Sequence, residues 1–444
     1  MNLRKFLVGE RARALLMIAL AIAVSGLFKA AAFAREAFIA ARFGLSSVTD
    51  AYFAIQQFPL ALATYTYGAF SLAFVPAYLR SRRQDGSIAW LPGLIVWGVA
   101  GASILTLLLA AGQPLLASAL HLQGSPDVRS TVLLLSICFP PIVVIGVWAD
   151  ICTARGHNLW AMSIPGFSSL FMALILVGLY AFHRLDNLGL PLSMALGFVI
   201  VGVYSLIRIV YSQPWSMGQL AIWRDPEFRA FLRQLGASSM ENLAYTGNQL
   251  LIIYFLAQSG TGFISGNTCA MRIAMLGYTL LGMPLGQLAQ ARLATTQEAD
   301  LPLVFRRWIT RVGALLVCFA ALIIVLRVPI IRIVYMHGKF QGSDLGIVAS
   351  LLPPWAAYIV VMNLNAVAAR YLFILSRGTT YVRLQLAAYV GENLLRFAIA
   401  GHMHAAWVIW VSVAVEGCSL LFSLRACSLY SPHRADPAAE LEVA

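Results

Sequence analysis

Apolar residues in this chain come in long runs rather than in the alternation or one-sided stripes of water-soluble folds. A helix needs about 20 apolar residues to cross a bilayer. Runs of that order centre on residues 14–34, 51–78, 88–111, 130–152, 159–182, 188–212, 234–258, 264–290, 308–330, 346–372, 380–400 and 405–427. The pattern predicts an all-α polytopic membrane protein of about 12 transmembrane helices. The longest polar interval, 216–233, reads as a cytoplasmic amphipathic linker. It divides the chain into an N-terminal lobe, 1–215, and a C-terminal lobe, 234–444, each of six helices, the second ending in a short cytoplasmic tail. No loop is long enough for an extramembrane catalytic domain.

Composition agrees. Of 444 residues, 60% are hydrophobic and 11% charged, against about 25% charged in soluble domains. A soluble enzyme, a nucleic-acid binder and a disordered chain are excluded. The net charge of +13 follows from the accumulation of Lys and Arg on the cytoplasmic side of membrane proteins. With the N-terminus inside, cytoplasmic segments collect about 21 of the 31 basic residues, among them Arg80, Arg82, Arg83, Arg224, Arg229, Arg233, Arg306, Arg307 and Arg311. An even number of spans then leaves both termini in the cytoplasm. The six cysteines lie in or beside apolar runs and form no CxxC pair, so they read as small buried hydrophobes. There is no Walker A loop, HExxH, GxSxG or Cys/His metal spacing. No catalytic residue, cofactor or metal is predicted.

The halves share a feature. Pro140-Pro141 in the fourth span and Pro353-Pro354 in the tenth lie 213 residues apart. The same offset sets Asp150 against Asn363 and Cys152 against Asn365. Paired interruptions in corresponding segments point to a transporter built from two repeats. The plainer reading is a packing kink in each helix.

Ionisable groups inside a bilayer cost several kcal/mol unless they face a cavity or a partner. Lys29 and Arg35 lie in the first span, where both can face inward, and Arg272 in the eighth. A cavity lined by these three would draw an anion. Phosphate fits, because Arg grips it with a two-pronged fork and Lys with a point charge. Snorkelling, or pairing of Arg35 with an acid, is the alternative. Among the acids, Asp50 opens the second span as a helix-capping group, and Asp150 has Arg155 as a nearby partner. Glu241, Glu392 and Asn393 offer ligands for a coupling proton or cation, although Glu392 also stands one turn from Arg396.

The first eighty residues are the most specific. Phe33-Ala34-Arg35-Glu36-Ala37, Arg42-Phe43-Gly44, Thr49-Asp50-Ala51-Tyr52-Phe53, Pro59, Gly68-Ala69-Phe70-Ser71 and Ala73-Phe74-Val75-Pro76 closely resemble the start of the MurJ/MviN family. Cys138-Phe139-Pro140, Ser163-Ile164-Pro165, Ala270-Met271-Arg272 and His337-Gly338-Lys339-Phe340 extend the resemblance over about residues 10–420. That family comprises the lipid II flippases of the multidrug/oligosaccharidyl-lipid/polysaccharide exporter superfamily.

The resemblance implies two six-helix lobes around a central V-shaped cavity that opens alternately to either side. An undecaprenyl-pyrophosphate-linked sugar would bind through Arg35, Arg272 and Lys29, its tail remaining among the membrane lipids. Asp50, Pro140, Pro141, Pro353 and Pro354 would gate or shape the cavity. The membrane potential or a coupling ion would drive the cycle, and glycan-synthesis enzymes would be partners. Two departures stand out. The basic residues that follow the second-helix proline in the family are replaced by Leu60-Ala-Leu-Ala-Thr64-Tyr65, and the family usually has fourteen helices. The expectation is therefore a shortened relative that moves lipid II or a related exopolysaccharide or surface-glycan intermediate. A cation-coupled antiporter of the same superfamily would favour acids over Lys29 and Arg35. An integral-membrane enzyme would want a long, polar outer loop. A non-transporting scaffold of a glycan-synthesis complex is the remaining alternative.

Overall fold

The computed structural model describes residues 10–85, 88, 90–122, 127–212, 222, 225–277, 289, 293, 296–297, 300–375, 377–399 and 404–429; the side chains of residues 10–19, 21, 22, 25, 83–85, 158, 237, 238, 241 and 277 lie outside that description. Among the described residues the regular structure is entirely helical. In chain order the helices are α1 (Glu10–Phe43), α2 (Ser47–Ile55), α3 (Gln57–Tyr65), a π-turn (Thr66–Phe70), α4 (Ser71–Asp85), α5 (Leu91–Ala111) and α6 (Gln113–Ala119). Next come α7 (Val128–Ser136), α8 (Phe139–Ala154), α9 (Asn158–Ala181), α10 (Gly189–Ser212), α11 (Pro226–Ala257) and α12 (Phe263–Gly277). The last five are α13 (Leu301–Val325), α14 (Arg327–Tyr335), α15 (Gly342–Ile374), α16 (Gly378–Ile399) and α17 (Ala405–Leu429).

Eight stretches are long and apolar enough to cross a membrane: Ser47–Arg82, Leu91–Ala111, Val128–Ala154, Leu159–Ala181, Gly189–Ser212, Leu301–Val325, Gly342–Ile374 and Ala405–Leu429. The other four predicted spans coincide with helices α1, α11, α12 and α16. These are shorter in their described part or carry charges, and α16 shows why. Its buried positions Tyr381, Gln385, Ala388, Tyr389, Glu392 and Arg396 follow helical spacing, so Gln385, Glu392 and Arg396 face protein while Leu394 and Phe397 are exposed. Both chain ends, and the second half of the eighth predicted span, lie outside the described residues.

The chain forms two compact units. The first comprises residues up to Ile39 and Ser47–Thr246; the second comprises Ala40–Ser46 and Gly247 onward. The predicted linker 216–233 lies largely outside the described residues, and from Pro226 it is helical and opens α11.

In the first unit α8 is the central helix, packed by α4, α5, α9, α10 and the π-turn. It buries almost every residue from Phe139 to Cys152. Pro140-Pro141 ends α7 and starts α8, sitting in its first turn, where the absent N–H groups are not missed. Gly202 of α10 lies against Pro141, where a Cβ would come within 2.7 Å of the proline Cβ. The start of α11 is pinned by an aromatic cluster of Phe74, Trp90, Phe228 and Phe231, with the Trp90 and Phe231 rings stacked 5.8 Å apart. An Arg80–Glu227 ion pair at 3.2 Å lies in the same unit.

In the second unit α15 has the central place, packed by α12, α13, α14, α16 and α17. Here the expectation of a second interruption fails. Pro353 and Pro354 lie inside one continuous helix. Contacts on several sides hold α15 straight enough to absorb the lost hydrogen bonds, as neighbouring helices do in membrane proteins. The second predicted span differs in the opposite sense. It is not one helix but α2, α3, the π-turn and α4 in succession.

Candidate functional site

The buried stripe of α1 runs through Phe28, Arg35, Glu36, Ile39 and Ala40. Lys29 falls on another face and is exposed. Six residues turn a helix by about 600°, which leaves the two cations roughly 120° apart; the expectation that they face inward together is therefore corrected. Arg35 is only 8% exposed and Glu36 1%. Arg35 Nη2 donates to Glu36 Oε1 at 3.3 Å and Nη1 to the Met172 sulfur of α9 at 2.8 Å. In this state the Arg35 charge is balanced by its sequence neighbour. Asp50 lies buried in the first turn of α2, where the helix dipole favours a carboxylate.

Arg272 is half-buried on α12 in the second unit. Its helix is fastened at two positions ahead of it. Trp355 Nε1 of α15 donates to Asn267 Oδ1 at 2.7 Å, and the Tyr335 hydroxyl of α14 donates to the Cys269 carbonyl at 3.3 Å.

The residues expected to hold a coupling ion are engaged differently. The side chain of Glu241 lies outside the described residues. Glu392 and Asn393 both serve the guanidinium of Arg396, which is fully buried. Arg396 Nε donates to the Val408 carbonyl at 3.2 Å, and Nη1 to Asn248 Oδ1 at 2.5 Å and Asn393 Oδ1 at 2.9 Å. Its Nη2 donates to Glu392 Oε2 at 2.9 Å and to the Ser412 hydroxyl. All five guanidinium N–H groups thus have an oxygen acceptor. Asn248 Nδ2 also donates to Glu392 Oε2 at 2.8 Å. The cluster ties α11, α16 and α17 together, and the cation at its centre belongs to the chain.

Two turns earlier on the same face of α16, Gln385 Nε2 donates to Glu416 Oε1 at 2.5 Å, and Asn365 Nδ2 of α15 to Glu416 Oε2 at 2.8 Å. This second polar layer was missed in the sequence. Gln385, Glu392 and Arg396 at spacings of seven and four residues were its available signal. The repeat partner of Asp150, Asn363, turns back on its own helix, donating to the Ile359 carbonyl at 2.7 Å.

Arg155 does not pair with Asp150, as its position suggested. From the C-terminal end of α8 it donates to the Tyr78 hydroxyl and the Ser212 carbonyl, each at 3.3 Å. Five residues past Asp150, it points past the helix end rather than back along it.

Comparison with known proteins gives a consistent result. Residues 39–419 match the family model described as Lipid II flippase MurJ. The lipid II flippase MurJ of Burkholderia cenocepacia is 24% identical over 431 residues, which covers 90% of this chain and 81% of that protein. The probable lipid II flippase MurJ of Buchnera aphidicola is 24% identical over 351 residues, covering 74% and 67%. Among solved structures, a lipid II flippase MurJ in an inward closed conformation aligns with a TM-score of 0.81 at 17% identity, covering 93% of this chain and 87% of that one. An inward-facing multidrug resistance MATE family transporter of the MOP superfamily aligns with a TM-score of 0.73 at 12% identity, covering 94% and 99%. The two structural likenesses describe the fold.

Proposed function

The chain belongs to the lipid II flippase MurJ family, and we propose that it moves a polyprenyl-pyrophosphate-linked glycan precursor of the lipid II class across the bacterial inner membrane. The observation that carries this reading is the family match over residues 39–419, which takes in most of both units. The distribution of Lys and Arg supports a cytoplasmic position for both termini.

Flipping makes and breaks no covalent bond. The protein has to carry a charged pyrophosphate and a hydrophilic sugar past hydrocarbon while the prenyl tail stays among lipids. Arg35 and Arg272 are assigned to the pyrophosphate. Arg35 is held by Glu36 in the present state, so an arriving pyrophosphate exchanges with a carboxylate for the guanidinium fork. That exchange keeps the guanidinium paired throughout and avoids exposing a bare cation to the membrane interior. The units then move in alternating access. A unit charge crossing 100 mV gains about 2.3 kcal/mol, which is sufficient to bias the cycle. Enzymes of glycan synthesis supply the substrate on one side and consume it on the other.

The apolar run Leu60–Ala–Leu–Ala after Pro59 favours a second reading of the cargo, a related exopolysaccharide or surface-glycan intermediate on the same pyrophosphate anchor. Binding tests the shared part. Native mass spectrometry should detect a prenyl-pyrophosphate-linked sugar on the protein in preference to the corresponding monophosphate, with the preference reduced in Arg272→Gln. Equal binding of both lipids, unaffected by that substitution, contradicts the proposal.

A further inference from the structure

Asp150 lies on α8, the central helix of the first unit, and is 4% exposed. Its Oδ2 is buried without a hydrogen-bond partner among the described residues, and so is the Tyr67 hydroxyl. Tyr67 belongs to the π-turn Thr66–Phe70, and it lies close enough to Asp150 to interact electrostatically with it. Ser71, the first residue of α4, lies beside the carboxyl.

The π-turn creates this arrangement. A single extra residue in the turn rotates the succeeding residues relative to a regular helix, and such turns recur at functional sites. The turn is pressed onto α8 one helical turn before Asp150. A Cβ at Gly146 would lie 2.1 Å from Thr66 Cγ2. Only glycine permits that approach, and the approach closes Tyr67 and Ser71 over the carboxyl.

Among the described residues no cation balances Asp150. Arg155, on the same helix, is committed to Tyr78 and Ser212. Arg208 of α10 lies over the Trp148 ring, 5.8 Å from its centroid. Every residue of α5 is non-ionisable. The one ionisable group of α9, Tyr180, packs on Phe38, and that of α3, Tyr65, is bonded to Ser239. Cys152, on α8 itself, is buried. A bare carboxylate at such a place would carry the desolvation penalty of a charge in a lobe that spans the membrane. A protonated carboxyl carries far less, because it is neutral and can donate.

We propose that Asp150, covered by Tyr67 and Ser71, is a proton-binding site of the first unit, occupied while the π-turn is packed on Gly146 and emptied to water when the turn moves away. The reaction is the dissociation of one carboxyl proton, COOH to COO⁻ and H⁺, with the proton passing to or from solvent. The packed state therefore binds the proton more tightly than the open one, and acid favours the packed state. The second unit has Asn363 at the repeat-related position, so only the first unit changes charge there. The link from this site to transport rests on the flippase reading; the site itself does not.

The test uses the full chain in proteoliposomes with isotope-labelled aspartate, as wild type, Asp150→Asn and Tyr67→Phe. Infrared spectra should show a protonated carboxyl at neutral pH in the wild type that is missing in Asp150→Asn. The band should be shifted in frequency in Tyr67→Phe. Identical wild-type and Asp150→Asn spectra across the neutral range would overturn the site. Flipping of a prenyl-pyrophosphate-linked sugar should vary with pH in the wild type by up to about tenfold per pH unit, the slope of one proton, and be flat in Asp150→Asn. The same slope in both would overturn the coupling to transport. A wild type that binds its proton but flips nothing at any pH counts against the flippase reading and leaves the carboxyl band to decide the site.

Discussion

Thr106 of α5 donates its hydroxyl to the Ser136 carbonyl at 2.8 Å, sharing it with its own helix at Ala102, 3.1 Å away. Ser136 stands four residues before Pro140, so its carbonyl has no helical N–H to accept. A neighbouring helix supplies the missing donor inside an apolar unit. Thr106→Val keeps the side-chain shape and removes that donor. It should destabilise the detergent-solubilised protein by about 1–3 kcal/mol, measured by thermal or denaturant unfolding, while Thr106→Ser stays near wild type.

The Arg396–Glu392 pair predicts a strong asymmetry between single and double substitutions. Each residue is fully buried. Arg396→Met leaves a carboxylate without its cation and should cost about 3–5 kcal/mol. Arg396→Met combined with Glu392→Met removes both charges and should recover most of that loss. A double-mutant cycle on unfolding free energies gives the coupling, and additive single effects would show that the two charges do not depend on one another.

Close approach of the π-turn to α8 gives a steric test. Gly146→Ala places a methyl group into the space of Thr66 Cγ2. The substitution should destabilise the unit by about 1–3 kcal/mol, the range for overpacking. Thr66→Ser deletes the clashing methyl group and should rescue Gly146→Ala in the same unfolding assay.

Arg35 and Glu36 are expected to be separable from folding only as a pair. Arg35→Gln alone removes the cation paired with Glu36, a carboxylate 1% exposed. It should lower both stability and transport. Arg35→Gln with Glu36→Gln removes both charges, and should restore stability while leaving transport impaired at least about tenfold, corresponding to a lost charge-assisted hydrogen bond of roughly 1.5–3 kcal/mol.

Much of the fold was legible in the sequence because bilayer crossing imposes a single rule, a long apolar run, on eight of the helices. Pro140 and Pro353, picked out in the sequence, fall in the central helices α8 and α15. What the proline pairs do was not legible. One begins a helix and the other lies inside one, because the outcome depends on neighbours such as Thr106 rather than on the prolines. The π-turn was invisible for a similar reason: Thr66–Phe70 carries no Pro or unusual composition to mark it, and it is held by contact with Gly146. Lys29 and Arg35 could be found as intramembrane charges, but counting residues between them did not place them on one face. Glu392 was visible as a buried acid next to Arg396, whereas its remaining partners Asn248 and Ser412 come from helices distant in sequence.

The central claim is that the chain flips a pyrophosphate-linked glycan lipid and that Arg35 and Arg272 serve that movement. Its most direct measurement is translocation of a purified prenyl-pyrophosphate-linked sugar in proteoliposomes, with leaflet position read by an externally added sugar-modifying enzyme. Wild type, Arg272→Gln and Arg35→Gln/Glu36→Gln are compared after each is shown to be folded. The account predicts protection that decays with time in the wild type and slows at least about tenfold in both variants. Wild-type protein that leaves the lipid in its original leaflet, or variants that flip at the wild-type rate, would contradict it.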